Sequence, residues 1–239
     1  MKKAIRTYLY NHGYLNSPLQ KIWVKITSPI SKYRTQKRIK SVHETGMQLL
    51  SVINQIAQKH NVVIWPEFGT LLGAYRDKSF ISFDPDIDLG MMINDFTPDF
   101  MKSLNNVGIT PVRSLCRKFS SDGSEVIVEY TLLYRALKFD LFLSEKYGNK
   151  RRVYVSTSKI DELKPYYNIK HYEVDYSENV ERVSINNFEL SYPGNANKYL
   201  KSIYGENFMT PIPNWRPPKT NPIMYVWDNK ECYSIEHRY

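Results

Sequence analysis

The sequence predicts an α/β (α+β) protein, with helices and strands in one chain preceded by a basic N-terminal arm. Three observations carry this. Ile39, Val42, Met47, Leu50, Ile53, Ile56 and Ala57 recur at three- to five-residue steps, the period of a helix with one buried face. Two later stretches, around residues 86–93 and 137–143, alternate at period two, as strands do. Residues 1–43 hold ten Lys or Arg and no acid, whereas the remainder balances 23 basic residues against 24 acidic ones, so the net charge of +9 sits in the arm.

Each element follows from local chemistry. The helix that starts at Ile39 ends near His60 and Asn61. Val62, Val63, Ile64 and Trp65 form a short β-branched run closed by Pro66, which reads as a buried strand entering a Gly69-Thr70 turn. A short helix through Leu71, Leu72, Ala74 and Tyr75 follows. Ile87, Leu89, Met91 and Ile93 then alternate with Asp86, Asp88, Gly90 and Met92, so a strand here turns its apolar set one way and both aspartates the other. Val126 to Tyr134 and Leu137 to Leu143 read as strands, the second carrying a lone acid, Asp140. Residues 183–190 form a hairpin around Asn186-Asn187. Asn195 to Tyr204 is a helix stopped by Gly205. From Thr210 the chain is rich in Pro and aromatic residues, which suits an extended wrap over the surface.

At 239 residues and 42% hydrophobic content the chain can bury one substantial core. It has no run of eighteen apolar residues and opens on no signal-peptide pattern, so a cytoplasmic location is expected. Cys116 and Cys232 lack metal-ligand spacing, which argues against a zinc site or a disulfide scaffold. The arm interleaves its charges with Tyr8, Tyr10, Tyr14, Trp23 and Tyr33. That composition suits an anionic membrane surface, a nucleic acid or a plain solvated extension, and no nucleic-acid-binding motif accompanies it.

The chemistry is concentrated in GTLLGAYRDKSFISFDPDIDLG, residues 69–90. Asp84, Asp86 and Asp88 crowd three carboxylates into five residues, an arrangement that repels itself unless a cation sits among them. Two carboxylates on one strand face, with Asp140 on a later strand, form a hard oxygen set suited to Mg²⁺ or Mn²⁺. A Gly69-Thr70 turn would offer backbone N–H groups and a hydroxyl to a phosphate.

These residues carry a resemblance. EFGTLLGAYRDKSFISFDPDIDLGM is similar to the signature of the LicD/fukutin family, a Gly-Thr-Leu-Leu-Gly-x-x-Arg stretch followed by an aromatic-Asp-x-Asp-hydrophobic-Asp element. SYPGNANKYLKSIYGENFMTPIPNW resembles the closing element of that family, and the resemblance covers roughly residues 40–215. Pro85 stands where the family often has another acid, which sets Asp84 apart from the pattern.

The resemblance implies a nucleotidyltransferase-like fold, a mixed sheet flanked by helices, over residues 39–215, between the arm (1–38) and a Pro/aromatic tail (216–239) packed on that domain. It also implies transfer of a phospho-alcohol, of the phosphocholine or ribitol phosphate type, from a CDP-activated donor to a hydroxyl of a cell-surface glycan or its lipid-linked precursor. Asp86, Asp88 and Asp140 would then be the catalytic and metal-binding acids. Gly69, Thr70, Gly73, Arg76 and Asp84 would bind substrate, with Arg76 clamping phosphate. Asp140 would either complete the metal site or take the proton of the attacking hydroxyl. Two other readings are weighed: a nucleotide-sugar glycosyltransferase using Asp-x-Asp, and a non-enzymatic nucleic-acid-binding protein using the arm. A protein working on lipid-linked acceptors would use the arm at the inner membrane face.

Overall fold

A computed structural model describes residues 18–118, 124–159, 167–212, 224–226 and 232–237 of the protein. Helix α1 (Pro18–His60) is longer than the apolar stripe that predicts it. Val42, Leu49, Leu50, Ile53, Ile56 and Ala57 are buried, whereas residues 29–38 are all exposed, a run long enough to cover every face of a helix. The apolar period therefore begins where the helix meets the body, and residues 29–38 before it bury no face. Of the basic arm, residues 1–17 lie outside the described residues, and its described part is continuous with α1.

The expected strand at 62–65 shrinks to β1 (Trp65–Pro66), because only these two residues lie opposite a partner, Gly90 and Leu89 of β2 (Asp88–Met92). Between them α2 (Phe68–Leu72) runs into a π-helical turn (Gly73–Asp77) that ends at left-handed Lys78. Helix α3 (Pro98–Asn106) is capped by the Thr97 hydroxyl, which accepts from the Phe100 N–H. Strands β3 (Ile109–Lys118), β4 (Glu125–Tyr134), β5 (Leu137–Tyr147), β6 (Lys150–Lys159) and β7 (Tyr167–Asp175) follow as an antiparallel meander. The hairpin of β8 (Val180–Ile185) and β9 (Phe188–Pro193) turns at Asn186 and Asn187, both with positive φ, as a tight two-residue turn demands. Helix α4 (Ala196–Tyr204) starts at Asn195, whose side chain accepts from the Lys198 N–H, and stops at Gly205.

Among the described residues the main sheet has nine strands, and it is mixed because β2 pairs in parallel with β5 while the other pairs are antiparallel. The helix-flanked mixed sheet that the resemblance implies is thus the observed architecture. Strand β5 is its hub: Leu137–Phe142 lie against β4, Asp140–Ser144 against β2 and Glu145–Tyr147 against β6. Helix α1 packs across it, so Leu49, Leu50 and Ile53 share a core with Leu89, Met91, Phe139, Leu141 and Leu143. The tail does more than wrap the surface. Its described pieces β10 (Met224–Val226) and β11 (Cys232–Glu236) add strands beside β7 and β3.

His171 of β7 supplies a test of this packing. It is 3% exposed, pairs in register with Tyr154, and lies 3.7 Å from Glu173. Burial, with the nearby Arg152 charge, pushes its pKa from 6.5 down to about 4, the Glu173 carboxylate opposing. The unfolded chain therefore takes up a proton that the fold refuses, so stability falls as the pH drops from 6.5 to about 4. Up to about 3 kcal/mol rides on this group. Urea titrations at a series of pH values should show a shallower acid loss in His171→Gln than in the parent. Equal slopes would place the acid sensitivity elsewhere.

Candidate active site

The acidic loop is held in place by helix α1. Gly46 allows the contact, since a Cβ there would stand 2.8 Å from the Phe80 ring and 3.0 Å from Ile87. Within the loop, the Asp84 side chain accepts the Asp86 N–H at 3.2 Å, so Asp84 and Pro85 together fix how Asp86 is presented. A Cβ on Gly69 would meet Asp84 Oδ2 at 2.5 Å, so this glycine makes room for a carboxylate of the chain itself. Asp88 opens β2 with its backbone tied at both ends: its N–H donates to Thr70 Oγ1 at 2.8 Å, and its carbonyl accepts from the Glu67 N–H at 2.9 Å.

Across the parallel pair, Asp88 stands in register with Asp140. Neighbouring in-register residues of a sheet point to the same face, so strand pairing sets these two carboxylates side by side. Asp140 Oδ1 accepts the Thr131 hydroxyl at 2.6 Å, and Arg113 donates to Thr131 at 3.3 Å while pairing with buried Glu129. Burial raises the Asp88 carboxyl well above its ordinary range, and the Asp140 charge raises it further. Asp140 is raised by burial against the Thr131 bond, Glu129 to about 7 by burial and Asp140, and Asp84 to about 6 by burial against the Arg38 charge. The region carries more negative charge than its own cations balance.

Asp84, Asp86 and Asp88 line a cavity of ≈ 360 Å³ together with Gly69 and Arg76. Phe68, Phe83, Tyr204, Phe208 and Ile212 form its apolar wall. Asp140 borders Asp88 but is not among the lining residues. The donor set fits a divalent cation in kind: oxygen ligands, uncompensated charge, and Asp88 with no Lys or Arg ion pair among the described residues. Its present arrangement is less convergent than the sequence suggests. Among the described residues, no three Asp, Glu, His or Cys side chains close on one point. Asp86 precedes the strand, and its carboxylate is ion-paired with Arg38 of α1.

Three expected substrate contacts are engaged within the chain itself. Thr70 is buried, and its hydroxyl supports the Asp88 backbone. Gly73 backs the site from inside, where a Cβ would meet the Ser79 carbonyl oxygen at 2.5 Å. Arg76 lines the cavity but is engaged by both Asp77 oxygens, at 2.7 and 2.8 Å, and by the Phe208 carbonyl at 3.3 Å. Sequence reasoning missed Arg38, Glu67, Glu129, Thr131, Tyr204 and Phe208. Acids inside apolar strands signalled Glu129, and the Tyr-Gly of the closing element signalled Tyr204. Arg38 had no signal, because it looks like any other charge of the arm.

Residues 61–214 match the family described as LicD/FKTN/FKRP, nucleotidyltransferase domain. Over 139 residues the chain is 28% identical to uncharacterized protein RP689 of Rickettsia prowazekii (strain Madrid E), covering 54% of this chain and 50% of that protein. Over 184 residues it is 23% identical to ribitol-5-phosphate transferase FKTN of Macaca fascicularis, covering 75% of this chain and 37% of that protein. The chain thus spans half the length of the first relative and little more than a third of the second. A solved structure of ANT(2")-Ia in complex with adenylyl-2"-tobramycin aligns with a TM-score of 0.39 and 12% identity, over 63% of this chain and 70% of that one.

Proposed function

From the premise that this chain belongs to the LicD/FKTN/FKRP nucleotidyltransferase-domain family, we propose that it transfers a phospho-alcohol from a CDP-activated donor to a hydroxyl of a glycan or lipid-linked glycan. The observation that carries the reading is the side-by-side placement of Asp140 and Asp88, of which Asp88 lines a cavity large enough for part of a nucleotide. Asp86 and Asp88 would hold Mg²⁺ or Mn²⁺, which when bound neutralises diphosphate oxygens and stabilises the departing nucleotide.

The protein's own groups do the positioning. Thr70 and Glu67 fix the backbone of Asp88, and Asp84 fixes that of Asp86. Phe83, Phe208 and Ile212 give the donor an apolar wall. The acceptor oxygen bonds to the donor's outer phosphorus, and the bond from that phosphorus to the bridging oxygen breaks, releasing CMP. Thr131 occupies one oxygen of Asp140 and leaves the other to take the proton that the acceptor loses. The basic arm would hold the protein near anionic lipid, where a lipid-linked acceptor resides.

CDP-ribitol, CDP-glycerol and CDP-choline, each with Mg²⁺ or Mn²⁺, should be tested for CMP release beside a panel of nucleotide sugars. Metal-dependent CMP release from one CDP-alcohol is the expected result. Turnover of nucleotide sugars alone would favour the glycosyltransferase reading.

A further inference from the structure

We infer that Arg38 is a binding residue for the donor's phosphates, and that in the free protein it holds Asp86, a carboxylate offered to the divalent cation. The inference deepens the function proposed above and rests on it. Arg38 comes from α1, outside the matched stretch 61–214. Residues 38, 42 and 46 fall on one stripe of that helix. Val42 is buried and Gly46 rests on Phe80 and Ile87, so the contact that holds the acidic loop also aims Arg38 at its lip.

Two features suit exchange. Both side chains of the Arg38–Asp86 pair are solvent-accessible, 53% for Arg38 and 37% for Asp86, and exposed pairs of this kind are weak and readily traded. Arg76, which lines the cavity, has each of its three nitrogens engaged by Asp77 or the Phe208 carbonyl, so Arg38, whose partner Asp86 lines the same cavity, is the cation freer to turn to a phosphate. Loading a divalent cation on Asp86 releases the guanidinium at the mouth of the cavity, where a diphosphate entering with the cation meets its planar fork.

The test is binding, not turnover. Mn²⁺ affinity and, at saturating Mn²⁺, CDP affinity are measured by calorimetry on the full chain and on Arg38→Gln, Arg38→Lys and Asp86→Asn, with thermal melts as a check on folding. Arg38→Gln should bind Mn²⁺ about two- to fivefold more tightly, because its competitor is gone, and CDP about tenfold more weakly. Arg38→Lys should fall between. Unchanged affinity for either probe in Arg38→Gln overturns the inference if Asp86→Asn still weakens Mn²⁺ binding. If Asp86→Asn leaves Mn²⁺ binding intact, the metal assignment itself fails, and this inference fails with it.

Discussion

Asp88→Asn is expected to lower the rate of CMP release by about 10²- to 10³-fold or more, the scale of losing one preorganised electrostatic group, while the fold remains intact. The direction of the stability effect makes the result diagnostic. In the metal-free protein the Asp88 carboxyl is raised by burial and by the facing Asp140, so its ionised form works against the fold. An amide keeps the strand-opening backbone bonds to Thr70 and Glu67, removes that repulsion, and should leave the melting temperature equal or higher. Added Mg²⁺ should stabilise the parent and leave the variant unaffected. Persistence of the metal-induced shift in Asp88→Asn would remove this residue from the ligand set.

Arg151→Met should cost about 3–5 kcal/mol of stability, since it strands a carboxylate in the interior. Arg151 and Glu67 are both fully buried, with Nη1 to Oε2 at 2.8 Å and Nη2 to Oε1 at 3.1 Å. Glu67 also accepts from Trp65 Nε1 at 2.8 Å and from the Tyr199 hydroxyl at 2.5 Å, while Arg151 donates to Ser144 and Tyr192. One pair thus ties β1, β5, β6, β9 and α4 together. Because the cost lies in the unpaired charge, adding Glu67→Gln to Arg151→Met should restore much of the loss. Urea denaturation of the two single variants and the double variant reads this directly. Additive losses would mean that the packing of Arg151 against Trp65, Tyr192 and Tyr199 matters more than its charge.

That buried arginine also explains where sequence reading stopped. The β8–β9 hairpin, α4 and β5 were legible because Asn-Asn, the Asn195 and Gly205 caps, and period-two alternation are local signals. Strands β6 and β7 were not, since Lys150, Arg151, Arg152, His171 and Glu173 break the apolar alternation even though Arg151 and His171 point inward. In the site, Asp84, Asp86 and Asp88 announced themselves by spacing, and Asp140 by being a lone acid in an apolar strand. Their partners did not. Thr131 and Asp140 meet only through strand register, and Arg38 reaches Asp86 only through the packing of a helix whose own charges looked unremarkable.

The parallel pairing of β2 with β5 bears on the order in which the molecule is made. Asp88 and Asp140 lie about fifty residues apart, and the chain between them passes through α3, β3 and β4 before returning. Hairpins such as β3–β4 and β4–β5 close short loops and form early, whereas β2 must find the far edge of a strand already engaged with β4. Loop closure alone thus makes the carboxylate pair an expected product of the later, non-local stage of folding, after the local hairpins. A nascent or partly unfolded chain can hold much of its secondary structure while these two carboxylates are still apart, so the candidate site is incomplete until this long-range pairing has formed.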